Sequence, residues 1–165
     1  MTPVLPEDTL LASGVLAGDD WITVARARIR ETLRALRAQG YESYVFMTCI
    51  DHLATPMLDR PPERYELVYQ LRDMRRHHEL RVRVFVPEDD ATAPSVQDVY
   101  APANWDERET WDLFGISFEG HPDLTRILMP DDWVGHPLRR DYPVGGEPVD
   151  FSEDHESWQT APPEA

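Results

Sequence analysis

A chain of 165 residues with 31 acids against 16 bases, a net charge of −15, has enough length for one domain with one sizeable core. The acidity repels phosphates, which excludes non-specific binding to nucleic acid or to an anionic membrane. The single cysteine, Cys49, excludes an internal disulfide and any four-thiolate iron–sulfur or zinc site built from this chain alone.

The opening Met-Thr-Pro-Val-Leu-Pro-Glu-Asp has neither the basic nor the apolar region of a secretory signal. No run of about eighteen apolar residues follows, so residence on the cytoplasmic side is expected. Residues 1–14, with two prolines, read as a loose lead-in. Trp21 to Val24 is β-branched and predicts a first strand. From Ala25 the spacing is helical: Ile29, Leu33 and Leu36 share one face, Arg26, Arg30, Arg34 and Arg37 another, and Gly40 supplies the stop. A helix beginning at Ile22 and capped by Asp20 is the alternative. The arginine face reads as solvated, or else as docked on an acidic neighbour.

Tyr44 to Ile50 is a mostly apolar run, as in a central, two-sided strand. Tyr65–Arg72 and Leu80–Val86 alternate and predict two strands joined as a hairpin through Asp73–His78. The link from Asp51 to Arg64 carries Pro56, Pro61 and Pro62 and reads as irregular. Pro87–Pro94 is an acidic loop, and Ser95-Val-Gln-Asp98 resembles a capping box opening a short turn. Asn104 then starts a second helix, with Glu107 as its capping partner and Gly115 as its stop. Beyond Gly115 the chain loses periodicity and is punctuated by Pro122, Pro130, Pro137 and Pro143. So long an irregular segment suits a strap laid across a partner.

The expectation is an α+β fold: a small antiparallel or mixed sheet with helices on one face, followed by a long extended C-terminal segment. It divides into a lead-in (1–14), the α+β domain (15–115), a partner-binding strap (116–144) and an acidic, disordered tail (145–165) with six acids and no base.

Little in the chain reads as chemistry. Glu107 and Glu109 stand two apart on a helix, about 200° around the axis, and cannot converge on one bond. They read as first-turn acids, with Arg108 and Asp112 spaced for an ion pair four residues apart. Cys49 and His52 invite a thiol–imidazole dyad, but positions three apart on a strand face opposite sides, which favours a buried, inert thiol. Asp51 reads as a turn or cap residue. The six histidines show no zinc spacing, and Gly145-Gly146 opens no helix, so neither a metal nor a dinucleotide is expected on this chain.

One stretch is different. Residues 107–144 are dense in charge, aromatics, glycine and proline together. Glu107-Arg108-Glu109, then Asp112 to Ile116, Phe118, His121-Pro122-Asp123-Leu124 and Arg126-Ile127-Leu128 resemble closely the signature of the 30 kDa-type subunit of respiratory complex I, the proton-pumping NADH:quinone oxidoreductase. Ala103-Asn104-Trp105 before it and Pro137-Leu138-Arg139-Arg140-Asp141-Tyr142-Pro143 after it also look like that family. Thr125 and Arg140 depart from the pattern, which often has a basic residue and a lysine there.

The resemblance implies a structural and docking subunit without its own cofactor, held in the peripheral arm against the 49 kDa-type subunit, with the 20 kDa-type subunit nearby. FMN, the iron–sulfur clusters and the quinone site would lie on other subunits, and the chain would sit peripherally on the cytoplasmic side of the inner membrane. The residues so implied at the partner interface are Trp105, Glu107, Arg108, Glu109, Asp112 and Phe114 on the helix. His121, Asp123, Arg126, Arg139, Arg140 and Asp141 follow on the strap. Related hydrogenases and ferredoxin- or plastoquinone-linked enzymes carry the same domain type. A free-standing enzyme using Cys49, Asp51 and His52 is the reading from a different class.

Overall fold

The structure is a computed structural model that describes residues 5–6, 8–53 and 62–143. Leu10–Leu16 (β1) and Asp19–Val24 (β2) form an antiparallel hairpin whose turn places Ala17 at φ 53° and Gly18 at φ 97°. A 3₁₀ turn, Arg26–Arg28, leads into the helix Ile29–Ala38 (α1). Ser43–Asp51 (β3), Tyr65–Asp73 (β4) and His78–Val86 (β5) follow. Thr92–Pro94 (β6) and Ser117–Glu119 (β7) pair in parallel around the helix Ala103–Phe114 (α2). The main sheet runs β1-β2-β5-β4-β3 and is antiparallel except where β2 meets β5. This is the expected α+β fold.

Strict alternation fixes which side of the sheet is buried. Tyr65, Leu67, Tyr69 and Leu71 of β4 and Leu80, Val82, Val84 and Val86 of β5 face the helices with almost no exposure. Ile29, Leu33 and Leu36 of α1 and Leu113 and Phe114 of α2 close the same core. Asp106 of α2 pins the helix to a bulge in β3, its Oδ2 accepting both the Tyr44 hydroxyl and the Met47 N–H at 2.7 Å.

Several expectations need correction. The lead-in is ordered structure from Leu10 onward, because β1 needs β2 to pair. β3 is an edge strand, apolar on both sides because one side meets α2 and the other forms an open sheet face. The second helix begins at Ala103 with Pro102, not Asn104, at its N-cap. Asp98 makes no capping box. The arginine face of the first helix, though Arg34 and Arg37 remain exposed, is engaged within the chain: Arg26 binds Thr92 O at 3.0 Å, Arg30 binds Ser95 O at 2.6 Å, Arg34 pairs with Asp98 at 2.7 Å, and Arg37 caps Val99 O. These guanidiniums hold the acidic loop and the following turn on the domain. The acidic neighbour is intramolecular. The tail, 145–165, lies outside the described residues.

Candidate docking site

The second helix and the segment after it organise three polar clusters. The first is centred on Asp112, wholly buried in the last turn of α2. Its Oδ2 accepts the backbone N–H groups of Ile127, Leu128 and Met129 at 3.0, 2.8 and 2.9 Å, and its Oδ1 takes Arg126 Nη1 at 2.5 Å. Burial alone would raise its pKa. The three amides and the guanidinium outweigh that and hold the carboxyl at about 2. Arg126 continues to Trp133 O at 2.9 Å and Gly135 O at 3.3 Å.

A helix leaves its last carbonyls without partners, and here the arm supplies them. His136 Nδ1 donates to Asp112 O at 2.9 Å, Leu138 N to Leu113 O at 3.0 Å, and Arg139 Nε to Phe114 O at 2.6 Å. Gly115 makes the left-handed turn at φ 77°, and a Cβ there would lie 2.6 Å from His136 and 2.8 Å from Arg139. Gly115→Ala is therefore expected to cost about 1–2 kcal/mol from backbone conformation alone, with more from the displaced arm. Urea melts of the variant and wild type measure this.

The second cluster is Glu107. Ser95 Oγ and Val96 N both donate to its carboxylate at 2.6 Å. Burial pushes its pKa up to about 7 against those two bonds. His121 Nδ1 accepts Asp123 N at 3.1 Å, so Nε2 carries the hydrogen, donates to Asn104 O at 3.3 Å and lies 3.9 Å from Glu107 Oε2. The third cluster fastens the arm's far end to the sheet. Asp51 accepts Arg64 Nη2 at 2.9 Å and Arg140 N at 3.0 Å, and Arg64 also holds Asp141 at 2.7 Å. The buried Asp51 carboxyl stays below its usual range because Arg64 and the Arg140 and Leu53 amides outweigh the effect of burial.

Most residues singled out by the motif are thus brought together inside the chain. Glu107, Asp112 and Phe114 are buried, and Arg126, Arg139, Arg140 and Asp141 tie the arm down. The expected Arg108–Asp112 pair does not form, because Arg108 donates to Thr125 O and Arg126 O at 3.1 and 3.0 Å while Arg126 takes Asp112. Those contacts use the backbone of Thr125, so its side chain is not part of them. Trp105, Glu109 and Asp123 lie at the surface. Sequence reasoning passed over Arg64 and Asp106, whose partners are distant in the chain. The Cys49–His52 dyad is also absent: His52 Nε2 bonds Glu66 at 2.7 Å, and burial pushes the Cys49 thiol up.

Beside exposed acids such as Asp131 and Asp132, the arm shows apolar side chains to solvent. Val134 is 86% exposed, Leu128 56% and Leu138 51%, beside Trp105 at 57%. Among the described residues no helix is long and apolar enough to cross a membrane.

The chain is thus an α+β domain that carries a tethered arm with exposed apolar side chains. Residues 22–148 match the family described as respiratory-chain NADH dehydrogenase, 30 Kd subunit, and the chain belongs to it. It is 43% identical to NADH-quinone oxidoreductase subunit 5 of Thermus thermophilus, over 82% of this chain and 67% of that protein. It is 42% identical to an NADH-quinone oxidoreductase subunit of Acidothermus cellulolyticus, over 90% of this chain and 76% of that one. Among solved structures, a trypsin-resistant fragment of Nqo5 superposes with a TM-score of 0.64 at 37% identity, covering 68% of this chain and 89% of the fragment. A chain of an archaeal membrane-bound sulfane sulfur reductase shares the fold alone, at 22% identity and a TM-score of 0.69 over 96% of this chain and 88% of that one.

Proposed function

We propose that this chain is a non-redox docking subunit in the peripheral arm of a proton-translocating NADH:quinone oxidoreductase, packed against the 49 kDa-type subunit and near the 20 kDa-type subunit. FMN and the iron–sulfur clusters belong to other subunits in this reading. The assembly holds the chain peripherally on the cytoplasmic side of the inner membrane. Its contribution to catalysis is indirect: it keeps a neighbouring site in a fixed geometry.

The observation that carries this is the set of exposed apolar side chains on an arm fastened to the domain. The groups that engage Asp112, the α2 carbonyls and Asp51 fasten the arm to the domain, and Val134, Leu128 and Leu138 stay outside on a segment that is already held in place. Burying those three against a partner stabilises association by roughly 1.5–3 kcal/mol per side chain. The sole cysteine, buried and with its thiol pushed up, is unsuited to ligating a cluster or acting as a nucleophile.

The test uses the full chain tagged in its host. Wild type should recover a flavin-containing complex with NADH:quinone activity. Val134→Asp with Leu138→Asp should lose it while the purified chain melts as before. Equal recovery with the double variant, or turnover of a small substrate by the isolated chain, removes the reading.

A further inference from the structure

The sheet has a second side, which the helices do not cover. There Leu16, Trp21, Phe46, Ile50 and Val68 line a groove of about 330 Å³. Leu16 is 62% exposed, Phe46 41% and Ile50 40%. Trp21 lies flat across β1, for a Cβ on Gly14 would come within 2.7 Å of its ring. The groove wall is therefore an aromatic plate, fixed by a glycine beneath it.

The charges in this groove are already matched. Arg83 pairs with Glu66, whose other oxygen takes His52 Nε2 at 2.7 Å, and the guanidinium sits 5.1 Å over the Trp21 ring. Arg81 stands 3.6 Å from Asp19 and donates to Gln70 at 3.4 Å. Arg81 and Arg83 line the groove with Glu66, and Asp19 stands just outside it, so each of the two guanidiniums already has a carboxylate partner. An incoming charged side chain would lose its water and find no free counter-ion; an uncharged apolar one would only displace water.

The groove continues onto β1, the edge of the sheet. Leu-Leu-Ala-Ser-Gly-Val-Leu carries no charge and no proline, the usual protections of an exposed edge, and Ala12, Gly14 and Leu16 share the groove side. The outer backbone groups of β1 pair with no strand among the described residues.

We infer that the open face of the sheet, from Ile50 across Trp21 to the β1 edge, is a second docking surface that receives an uncharged apolar segment of a neighbouring subunit. It lies on the opposite side of the sheet from α2, to whose end the arm is fastened. The inference rests on the docking reading above, and it adds that the chain is held on two sides and acts as a bridge.

A photo-crosslinking benzoylphenylalanine replaces Thr48, which is exposed at the groove mouth, in the tagged chain within its assembled complex. The crosslinked peptide is identified by mass spectrometry. The expected product joins position 48 to an uncharged apolar stretch of a co-assembled subunit, and Phe46→Arg with Ile50→Arg should lower recovery of the complex about tenfold. Both positions are half-exposed, and an unchanged melting temperature of the purified variant shows that folding survives. A crosslink to residues 144–165 of the same chain, to a second copy or to a charged segment overturns the inference, as does no crosslink in an intact complex. Failure of the wild-type chain to recover any complex instead removes the docking reading beneath it.

Discussion

Asp112→Ala should unfasten the arm and destabilise the chain by about 3–5 kcal/mol, the usual penalty for removing one partner of a buried ion pair. The deletion leaves Arg126, whose side chain is 13% exposed, without its carboxylate. It also leaves the N–H groups of Ile127, Leu128 and Met129 without their acceptor. Arg126 is in addition the bond between this turn and the carbonyls of Trp133 and Gly135, so the loss spreads along the arm. Asp112→Asn keeps the shape and one acceptor oxygen and should cost less. Urea unfolding gives the stability, and trypsin reports the arm directly, since Arg126, Arg139 and Arg140 lie in it. Faster cleavage at these arginines is expected in the alanine variant. A variant within about 1 kcal/mol of wild type, with its arm still protected, would show that the amide cluster does not fasten the arm.

The same carboxylate sets an acid limit. Its pKa in the folded chain is lowered from 3.8 to about 2, so its contribution is present above the ordinary carboxylate value. That contribution is lost as pH falls from about 4 towards 2. The arm should therefore become sensitive to pepsin, which is active at such pH, within that window.

How much of this is legible in the chain depends on where each partner lies. The alternation of Leu80, Val82, Val84 and Val86 is a local signal, and β5 stands where that alternation puts it. Gly40 and Gly115 mark helix ends because each takes a positive φ. The β1–β2 hairpin turns on Ala17-Gly18, a weaker signal than Asn-Gly, so β1 reads as a loose lead-in until its partner strand is seen. The arginine stripe is visible, but its acceptors at Asp90, Ser95 and Asp98 lie more than sixty residues on, and periodicity cannot tell a solvated face from a clamped one. The motif from Glu107 onward is the strongest signal in the chain and points to the family. It does not reveal that Asp112 is neutralised by the arm itself, because every non-proline residue carries the same backbone N–H and an amide donor leaves no mark in the sequence.

Glu107→Gln should remove a pH dependence that the wild-type chain carries near neutrality. The folded-state pKa is raised from 4.5 to about 7, mainly by burial. A raised acid contributes stability that is present below about 4.5 and lost as pH rises through 7, because the unfolded chain gives up its proton first. The full loss is on the order of 3 kcal/mol. Glutamine stays neutral, still accepts from Val96 N and can donate to Ser95 Oγ, so the difference in unfolding free energy between variant and wild type should grow by that amount between about pH 5 and 8. A difference that stays constant would mean Glu107 does not titrate in this range. The contrast with Asp112, five residues along the same helix, comes from the deeper burial of Glu107 together with its fewer donors. Asp112 has three amides and a guanidinium around it. Glu107 has one amide and one hydroxyl, with His121 standing 3.9 Å away. The carboxylate with four donors keeps its charge in the core, and the deeper one with two gives up its proton only near neutrality.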